Sequence, residues 1–173
     1  MDVLVKAFAK VHRRYPKARL SIVGEGPQRS KLKRSIRKHG LSSSVRLLGK
    51  VSHGRVRKLL RKAHIFVLAS KTARDGDQEG IPNSLVEAMA SGLPVVSTNH
   101  SGIPELVRHN KTGFVARQGI AKDLARKMKR MLKKRKHWRR MTRAARAYVA
   151  SEHNIKKQVL KVERLYRKAI KRR

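Results

Sequence analysis

Two patterns of hydrophobic residues alternate along this chain, and together they predict its architecture. Short uninterrupted apolar runs predict buried strands, and apolar residues spaced three and four apart predict amphipathic helices. Strands are predicted at 18–23, 45–48, 65–68, 94–97 and 113–115. Helices are predicted to open at Asp2, Pro27, Ser52 and Pro82 and to cover 103–108, 120–134, 136–150 and 154–170. This alternation is typical of the α/β class: a Rossmann-like parallel sheet with helices on both faces.

The loops that follow the predicted strands carry glycines, serines and acids. They span 24–27, 49–52, 69–81 and 99–102. Ligands of parallel sheets bind beyond the carboxyl ends of the strands, so these loops should line the site. His100 is of interest because it lies in one of them. A length of 173 residues with no linker or internal repeat predicts a single domain, 1–173.

Two carboxylates, Glu79 and Glu87, stand eight residues apart across a turn that contains Gly80 and Pro82. That spacing, a little over two helical turns, puts Glu79 in the loop and Glu87 inside the following helix on the same general side. The start of a helix presents free N–H groups and a partial positive charge, which suit an anion. Together these groups can hold the sugar hydroxyls, the diphosphate and the ribose of a nucleotide sugar.

The charge of the chain is unusual. Lysine and arginine number 46 against 10 aspartates and glutamates, and the formal net charge is +36. One interpretation is a nucleic-acid-binding protein. The other, which we favour, is that surface acids have been replaced by bases, as in an engineered supercharged variant. It rests on the persistence of five acids around one motif: Asp75, Asp77, Glu79, Glu87 and Glu105.

Several classes of site and location find no support in the composition. The chain has no cysteine, and its eight histidines show no paired metal spacing, so neither a disulfide framework nor a metal site is predicted. No stretch approaches the ~20 apolar residues of a membrane span, and no secretory leader pattern opens the chain. We therefore expect a cytoplasmic protein. Its cations would also attract nucleic acid and the anionic inner face of the membrane without a dedicated site.

The motifs resemble a known family. Residues 79–96 and 101–105 look like the donor-binding signature of the large retaining glycosyltransferase family 4, which has the GT-B fold. Residues 24–27, 48–51 and 67–70 match that family in order and spacing, and 75–79 resembles its bacterial polysaccharide-building branch. The resemblance covers essentially the whole chain. It implies the C-terminal, nucleotide-sugar-binding half of a two-domain enzyme.

The resemblance also implies roles for single residues around the donor sugar and diphosphate. Glu79 would bind hydroxyls of the donor sugar and is the predicted catalytic residue. Glu87 would accept hydrogen bonds from the two ribose hydroxyls. The backbone that would approach the diphosphate belongs to Gly80, Ile81, Pro82, Asn83, Ser84 and Leu85.

The nucleotide would lie against the loops after the first two predicted strands. Lys50 and Val51 would flank the base through their backbone, and Gly24 and Gly26 would leave room for the nucleotide. The implied donor is a UDP- or GDP-sugar. The resemblance implies no metal, no other cofactor and no covalent nucleophile, and the departing diphosphate would be stabilised electrostatically.

The chain departs from the family at its start. Family members open this domain with a strand that ends in Gly-Arg, followed a few residues later by Lys, whereas this chain begins inside the next helix. We therefore expect the first strand, both cations and the N-terminal acceptor domain to be missing. A missing inner strand should leave unpaired backbone groups in the sheet. The sheet could rearrange, another chain could supply the pairing, or the domain could tolerate the loss.

Two functions follow as hypotheses. The first is a donor-binding domain that transfers a hexose with retention in its complete parent and only poorly alone. The alternative is an engineered cationic scaffold that binds nucleic acid or other polyanions non-specifically. Its basic clusters would be 29–38, 55–62 and 126–140, which carry few aromatic residues for base stacking.

Overall fold

The computed structural model describes residues 2–72, 76 and 80–170. Its strands are β1 (Leu20–Val23), β2 (Val45–Gly49), β3 (Phe66–Val67), β4 (Val95–Thr98) and β5 (Phe114–Ala116). Its helices are α1 (Asp2–His12), α2 (Arg29–Lys38), α3 (His53–Lys62), α4 (Asn83–Ala90), α5 (Ile103–Leu106), α6 (Ala121–Lys133), α7 (Trp138–Glu152) and α8 (Ile155–Ile170). A 3₁₀ turn, Arg135–His137, separates α6 from α7. The predicted α/β class and order of elements are confirmed.

Among the described residues the strands form two parallel sheets rather than one. One sheet pairs β1 with β2, and the other has the order β3–β4–β5. Within the described residues β1 and β3 do not pair with each other, and this is where the two sheets separate.

β4 lies between two hydrophobic cores, because successive residues of a strand point to opposite faces. Val96 is fully buried in a first core with Phe114 and Ile22, built around α1, α2 and α6. Val95 is fully buried in a second core with Leu85, built around α4, α5 and α7. Helices on both faces are thus confirmed. The first core contains residues of both sheets and so holds them together.

Several elements, α5 and β3 among them, are shorter than predicted. α5 ends at Leu106 because Val107 turns into extended backbone, with φ −101° and ψ 91°. β3 has only two residues. Its pairing with β4 nevertheless continues to Leu68, whose N–H donates to the Val96 carbonyl at 3.0 Å.

The last described helix, α8, packs differently from the others. None of the residues of α8 is buried, whereas α1, α6 and α7 each bury a complete apolar face. None of the described helices is both long enough and apolar enough to cross a bilayer.

Candidate functional site

The start of α4 is the part of the predicted site that the structure defines best. Pro82 precedes the helix with extended backbone, φ −67° and ψ 125°, and no side chain caps the helix. Asn83 and Ser84 are exposed, and neither of their N–H groups donates to another described residue. Leu85 is fully buried and anchors the turn in the second core. The helix therefore presents two N–H groups and its positive dipole end to an open surface.

Glu87 lies on the outer side of α4. The buried residues of the helix, Leu85, Ala88 and Met89, mark its inner side, and a 100° step per residue puts Glu87 nearly opposite them. Asn83 is one turn earlier on the same outer side. Glu87 is half-buried, and its carboxylate accepts no hydrogen bond and forms no ion pair with any residue in the described ranges. Glu87 is thus a half-exposed carboxylate in line with the free amides.

Three acids of the preceding loop, Asp75, Asp77 and Glu79, lie outside the described residues. The position of Glu79 relative to Glu87 therefore stays a prediction. Gly80 is described and exposed, and Ile81 is half-buried.

The loop after β4 packs directly against the turn that opens α4. A Cβ atom on Gly102 would lie 2.9 Å from Ile81 Cγ1, so only glycine fits there without a shift. The preceding residue, Ser101, has a φ of 45°, in the left-handed region that non-glycine residues adopt at some cost. The geometry of the α4 turn is thus coupled to that of the loop at 99–102.

Gln118, which follows β5, joins three segments at this edge of the sheet. Its side-chain oxygen accepts the Thr72 N–H at 3.3 Å and lies 3.1 Å from His100 Nδ1. Its own N–H donates to Asn99 Oδ1 at 2.7 Å. Because the oxygen is the acceptor in both bonds, Nδ1 of His100 carries a proton. Sequence analysis singled out His100 and missed Gln118, although its place just after a strand was a usable signal.

Side chains of β4 also fix the exit of β3. Thr98 Oγ1 donates to the Ser70 carbonyl at 2.6 Å, and Ser97 Oγ donates to the Leu68 carbonyl at 3.0 Å. Both β4 residues are fully buried. The backbone that leads from β3 toward the predicted sugar-binding loop is therefore anchored on its β4 side.

The loops after β1 and β2 form a second group of predicted residues. Gly24 N–H donates to the Gly49 carbonyl at 2.9 Å, so these two loops touch. Gly24, Gly26 and Lys50 are exposed, and Val51 is half-buried. Nothing lies within 4 Å of a Cβ built on Gly24 or Gly26, so the space that they were predicted to leave is open. Within the described chain no hydrogen bond joins this group to the α4 group.

A separate polar cluster involves α6. Lys127 is buried, and its Nζ lies 3.1 Å from His109 Nε2, while His109 Nδ1 accepts the Val115 N–H at 3.0 Å. Burial lowers the pKa of Lys127, and partial burial lowers the pKa of His109. Burial would raise the pKa of Asp123, but hydrogen bonds from the Arg117 N–H and from the Arg126 side chain outweigh it and lower that pKa. No set of three or more potential metal ligands comes together among the described residues.

Comparison with known proteins identifies the family. Residues 1–148 match the glycosyl transferases group 1 family. The chain is 44% identical over 134 residues to the amylovoran biosynthesis glycosyltransferase AmsK of Erwinia amylovora, which covers 78% of the chain and 33% of AmsK. It is 41% identical over 129 residues to the putative colanic acid biosynthesis glycosyltransferase WcaL of Escherichia coli K12, covering 74% of the chain and 32% of WcaL. The chain thus spans about a third of each relative.

A solved structure supports the fold. Alr3699/HepE of Anabaena, determined in complex with UDP and glucose, superposes with a TM-score of 0.84 at 22% identity. The superposition covers 96% of this chain and 44% of that one. Because 148 of the 173 residues match the family and the relatives share its activity in name, this chain belongs to the group 1 glycosyl transferases.

Proposed function

We propose that residues 1–173 form one nucleotide-sugar donor-binding domain of a retaining glycosyltransferase, and that the donor is a UDP- or GDP-hexose. The observation that carries this proposal is the start of α4, where the free N–H groups of Asn83 and Ser84 stand in line with Glu87. Helix N-termini bind phosphate, and a carboxylate can accept two hydrogen bonds from a ribose diol. The UDP in the HepE structure makes uridine the first base to test.

The proposed mechanism assigns each group to a part of the donor. The diphosphate binds at the backbone of 80–85, and Glu87 holds the ribose. Glu79 binds hydroxyls of the transferred sugar, and the loops at Gly24 and Lys50 receive the base. Backbone N–H groups and the dipole of α4 stabilise the negative charge that develops on the departing diphosphate.

The complete reaction is proposed to need more polypeptide than this chain. The chain spans about a third of its relatives AmsK and WcaL, which are named for amylovoran and colanic acid biosynthesis. We propose that a further domain binds a growing polysaccharide or a lipid-linked acceptor, and that this chain alone transfers sugar poorly. Robust transfer by the isolated chain would contradict this division of labour.

Calorimetric titration with UDP tests donor binding. Glu87→Gln should weaken binding roughly tenfold to a hundredfold, because a hydrogen bond to a charged group contributes about 1.5–3 kcal/mol. Because a chain with a net charge of +36 attracts any diphosphate, the control variant must remove one negative charge at a position outside the proposed site. Glu163→Gln on α8 does so at an exposed position. Titrations at ~0.1 M and ~1 M salt separate a built site from surface attraction, which is screened at high salt.

The outcomes of this titration are distinct. Binding that survives high salt and falls only with Glu87→Gln supports the proposal. Binding that disappears at high salt, or that responds equally to both variants, would favour the charge-driven alternative. The engineered origin of the charge, the cytoplasmic location and the binding of nucleic acid stay predictions.

The role of Glu79 and the stereochemistry need a sugar-bearing ligand. Glu79→Gln should weaken binding of UDP-glucose while leaving binding of UDP unchanged, because its proposed partners are sugar hydroxyls. Retention predicts that slow hydrolysis of an α-linked donor first releases the α anomer, which proton NMR detects before mutarotation.

A further inference from the structure

The amine of Lys127 lies in a buried cluster that the proposed reaction does not use. Lys127 is 9% exposed, and its Nζ atom lies 3.1 Å from Nε2 of His109. Arg126 and Arg130, on the same helix, add positive charge around the amine, and Asp123 adds one negative charge. All of these residues belong to the described chain, so the contacts of the cluster need no further polypeptide.

Hydrogen bonds fix the position of the proton on His109. The Val115 N–H donates to Nδ1 of the ring at 3.0 Å, so Nδ1 is an acceptor and the proton of the neutral ring lies on Nε2. The contact between Nε2 and Lys127 Nζ therefore needs an acceptor on the lysine side. An ammonium offers only donors, whereas an uncharged amine offers a lone pair. The geometry thus favours the uncharged form of Lys127.

Asp123 does not provide a counter-ion that would keep the lysine charged. Its Oδ2 accepts the Arg117 N–H at 2.8 Å, and its Oδ1 accepts Arg126 Nε–H at 2.9 Å. Among the described residues Lys127 forms no ion pair with an acid. Burial lowers the pKa of Lys127, and Arg126 and Arg130 lower it further, although the charge of Asp123 opposes the shift. The electrostatics therefore agree with the hydrogen-bond geometry.

The surroundings of the amine favour one kind of electrophile. An uncharged lysine amine is a nucleophile. Carbon dioxide is small and uncharged, so it can reach an amine that is almost buried. Its product, a carbamate, is an anion whose oxygens accept hydrogen bonds. The carbamate would supply the acceptor that faces the Nε2–H of His109, and it would place a negative charge near Arg126 and Arg130.

We propose that Lys127 is a carbamate-forming site at which the uncharged amine captures carbon dioxide. The Nζ lone pair attacks the carbon and forms an N–C bond, while one C=O π pair moves onto oxygen. One amine proton is released to water, so an amine and carbon dioxide give an N-carboxylate and a proton. The modification would strengthen the contact between α6 and the loop that carries His109. It goes beyond donor binding and does not depend on it.

Chemical trapping locates the carbamate directly. A trialkyloxonium salt converts the labile carbamate into a stable ester, and peptide mass spectrometry of the full chain in isotopically labelled bicarbonate then identifies the residue. Lys127 should be labelled about tenfold or more above Lys122, because a pKa lowered by about one unit raises the uncharged fraction about tenfold. Lys122 is the matched control, since it is exposed on the same helix.

The trapping experiment contains its own positive control. The α-amino group of the chain has an ordinary pKa of about 7.7–8.0 and should be labelled at mildly alkaline pH. Labelling of the α-amino group without labelling of Lys127, or equal labelling of Lys122 and Lys127, would overturn the proposal. His109→Phe removes the N–H that the carbamate would accept, so it should lower labelling of Lys127 severalfold. Unchanged labelling in this variant would contradict the assigned hydrogen bond.

Thermal unfolding gives a second readout. A carbamate that forms in the folded chain, and not on the protonated lysines of the unfolded chain, stabilises the folded state by mass action. Replacing chloride by bicarbonate at equal ionic strength, in sealed cells, should raise the midpoint of the parent and of Lys122→Met. The midpoint of Lys127→Met should not change. Equal shifts in the two variants would show a general effect of the anion and refute the site.

Discussion

The Nδ1 atom of buried His100 lies 3.1 Å from the side-chain oxygen of Gln118, which also accepts the Thr72 N–H at 3.3 Å. One amide group thereby ties the loop after β4 to the backbone that leaves β3. These two segments flank the predicted donor turn. Gln118 itself is exposed, so its importance comes from its partners rather than from burial.

Removing this acceptor should loosen the site. Gln118→Met leaves the His100 N–H without its partner in a buried position, which costs about 1–3 kcal/mol. Gln118→Glu keeps an oxygen acceptor and should restore most of the loss. Gln28→Met is the control, because Gln28 precedes α2 and makes no capping hydrogen bond. Urea unfolding and UDP titration should both respond to Gln118→Met and not to the control; an unchanged unfolding midpoint would show that the bond contributes nothing.

A second prediction concerns the contact between Gly102 and Ile81. A methyl group at Gly102 would lie 2.9 Å from Ile81 Cγ1, so Gly102→Ala should displace the donor turn and weaken UDP binding. A double-mutant cycle tests the cause. If the clash is responsible, Gly102→Ala is destabilising with Ile81 present and close to neutral in an Ile81→Ala background. Additive effects in the two backgrounds would place the cost elsewhere.

Much of the architecture follows from local patterns. The alternation of strands and helices predicted the α/β class, and Pro82 correctly marked the start of the helix that carries Glu87. These features could be read from sequence because propensity, capping and the hydrophobic period act over a few residues.

The contacts that shape the site could not be predicted in the same way. The hydrogen bond between Thr72 and Gln118 joins residues 46 apart in sequence, and the clash partner of Gly102 is fixed only by packing. The place of Glu87 likewise depends on packing, because Leu85, Ala88 and Met89 face the core and the carboxylate lies on the outer side of α4. The division into two sheets likewise depends on which strands meet, which periodicity does not encode.

A third prediction tests the packing between β4 and β5. A Cβ atom on Gly113 would lie 2.6 Å from Val95 Cγ2 and 2.8 Å from the Val95 carbonyl oxygen, so backbone would have to move. Gly113→Ala should destabilise the fold by about 1–3 kcal/mol or more, as overpacking of a core does. Gly54→Ala is the matched control. Gly54 lies in α3 with nothing near its Cβ position, so alanine should stabilise by up to about 1 kcal/mol there. If urea unfolding showed that both variants lower the free energy of unfolding, or that both raise it, this assignment would be contradicted.

The last prediction follows from the buried amine of Lys127. His109 Nδ1 accepts the Val115 N–H, so in neutral His109 the proton sits on Nε2, which faces Lys127 Nζ at 3.1 Å. A charged ammonium there meets another donor, and burial together with Arg126 and Arg130 lowers the pKa of Lys127, while Asp123 opposes the shift. The folded state therefore binds the lysine proton less tightly than the unfolded state does.

The sign of the pH effect is fixed by this difference. Between the lowered pKa of Lys127 in the folded state and its unfolded value of about 10.4, the unfolded chain binds more protons, so the stability of the parent rises with pH. Lys127→Met removes the penalty and should stabilise the protein at pH 7, with an advantage that shrinks as the pH approaches ~10. Lys122→Met removes one charge from an exposed position of the same helix and should show no such trend. Urea unfolding from pH 7 to pH 10 measures both, and a pH-independent difference between parent and Lys127→Met would rule out a destabilising charge at this position.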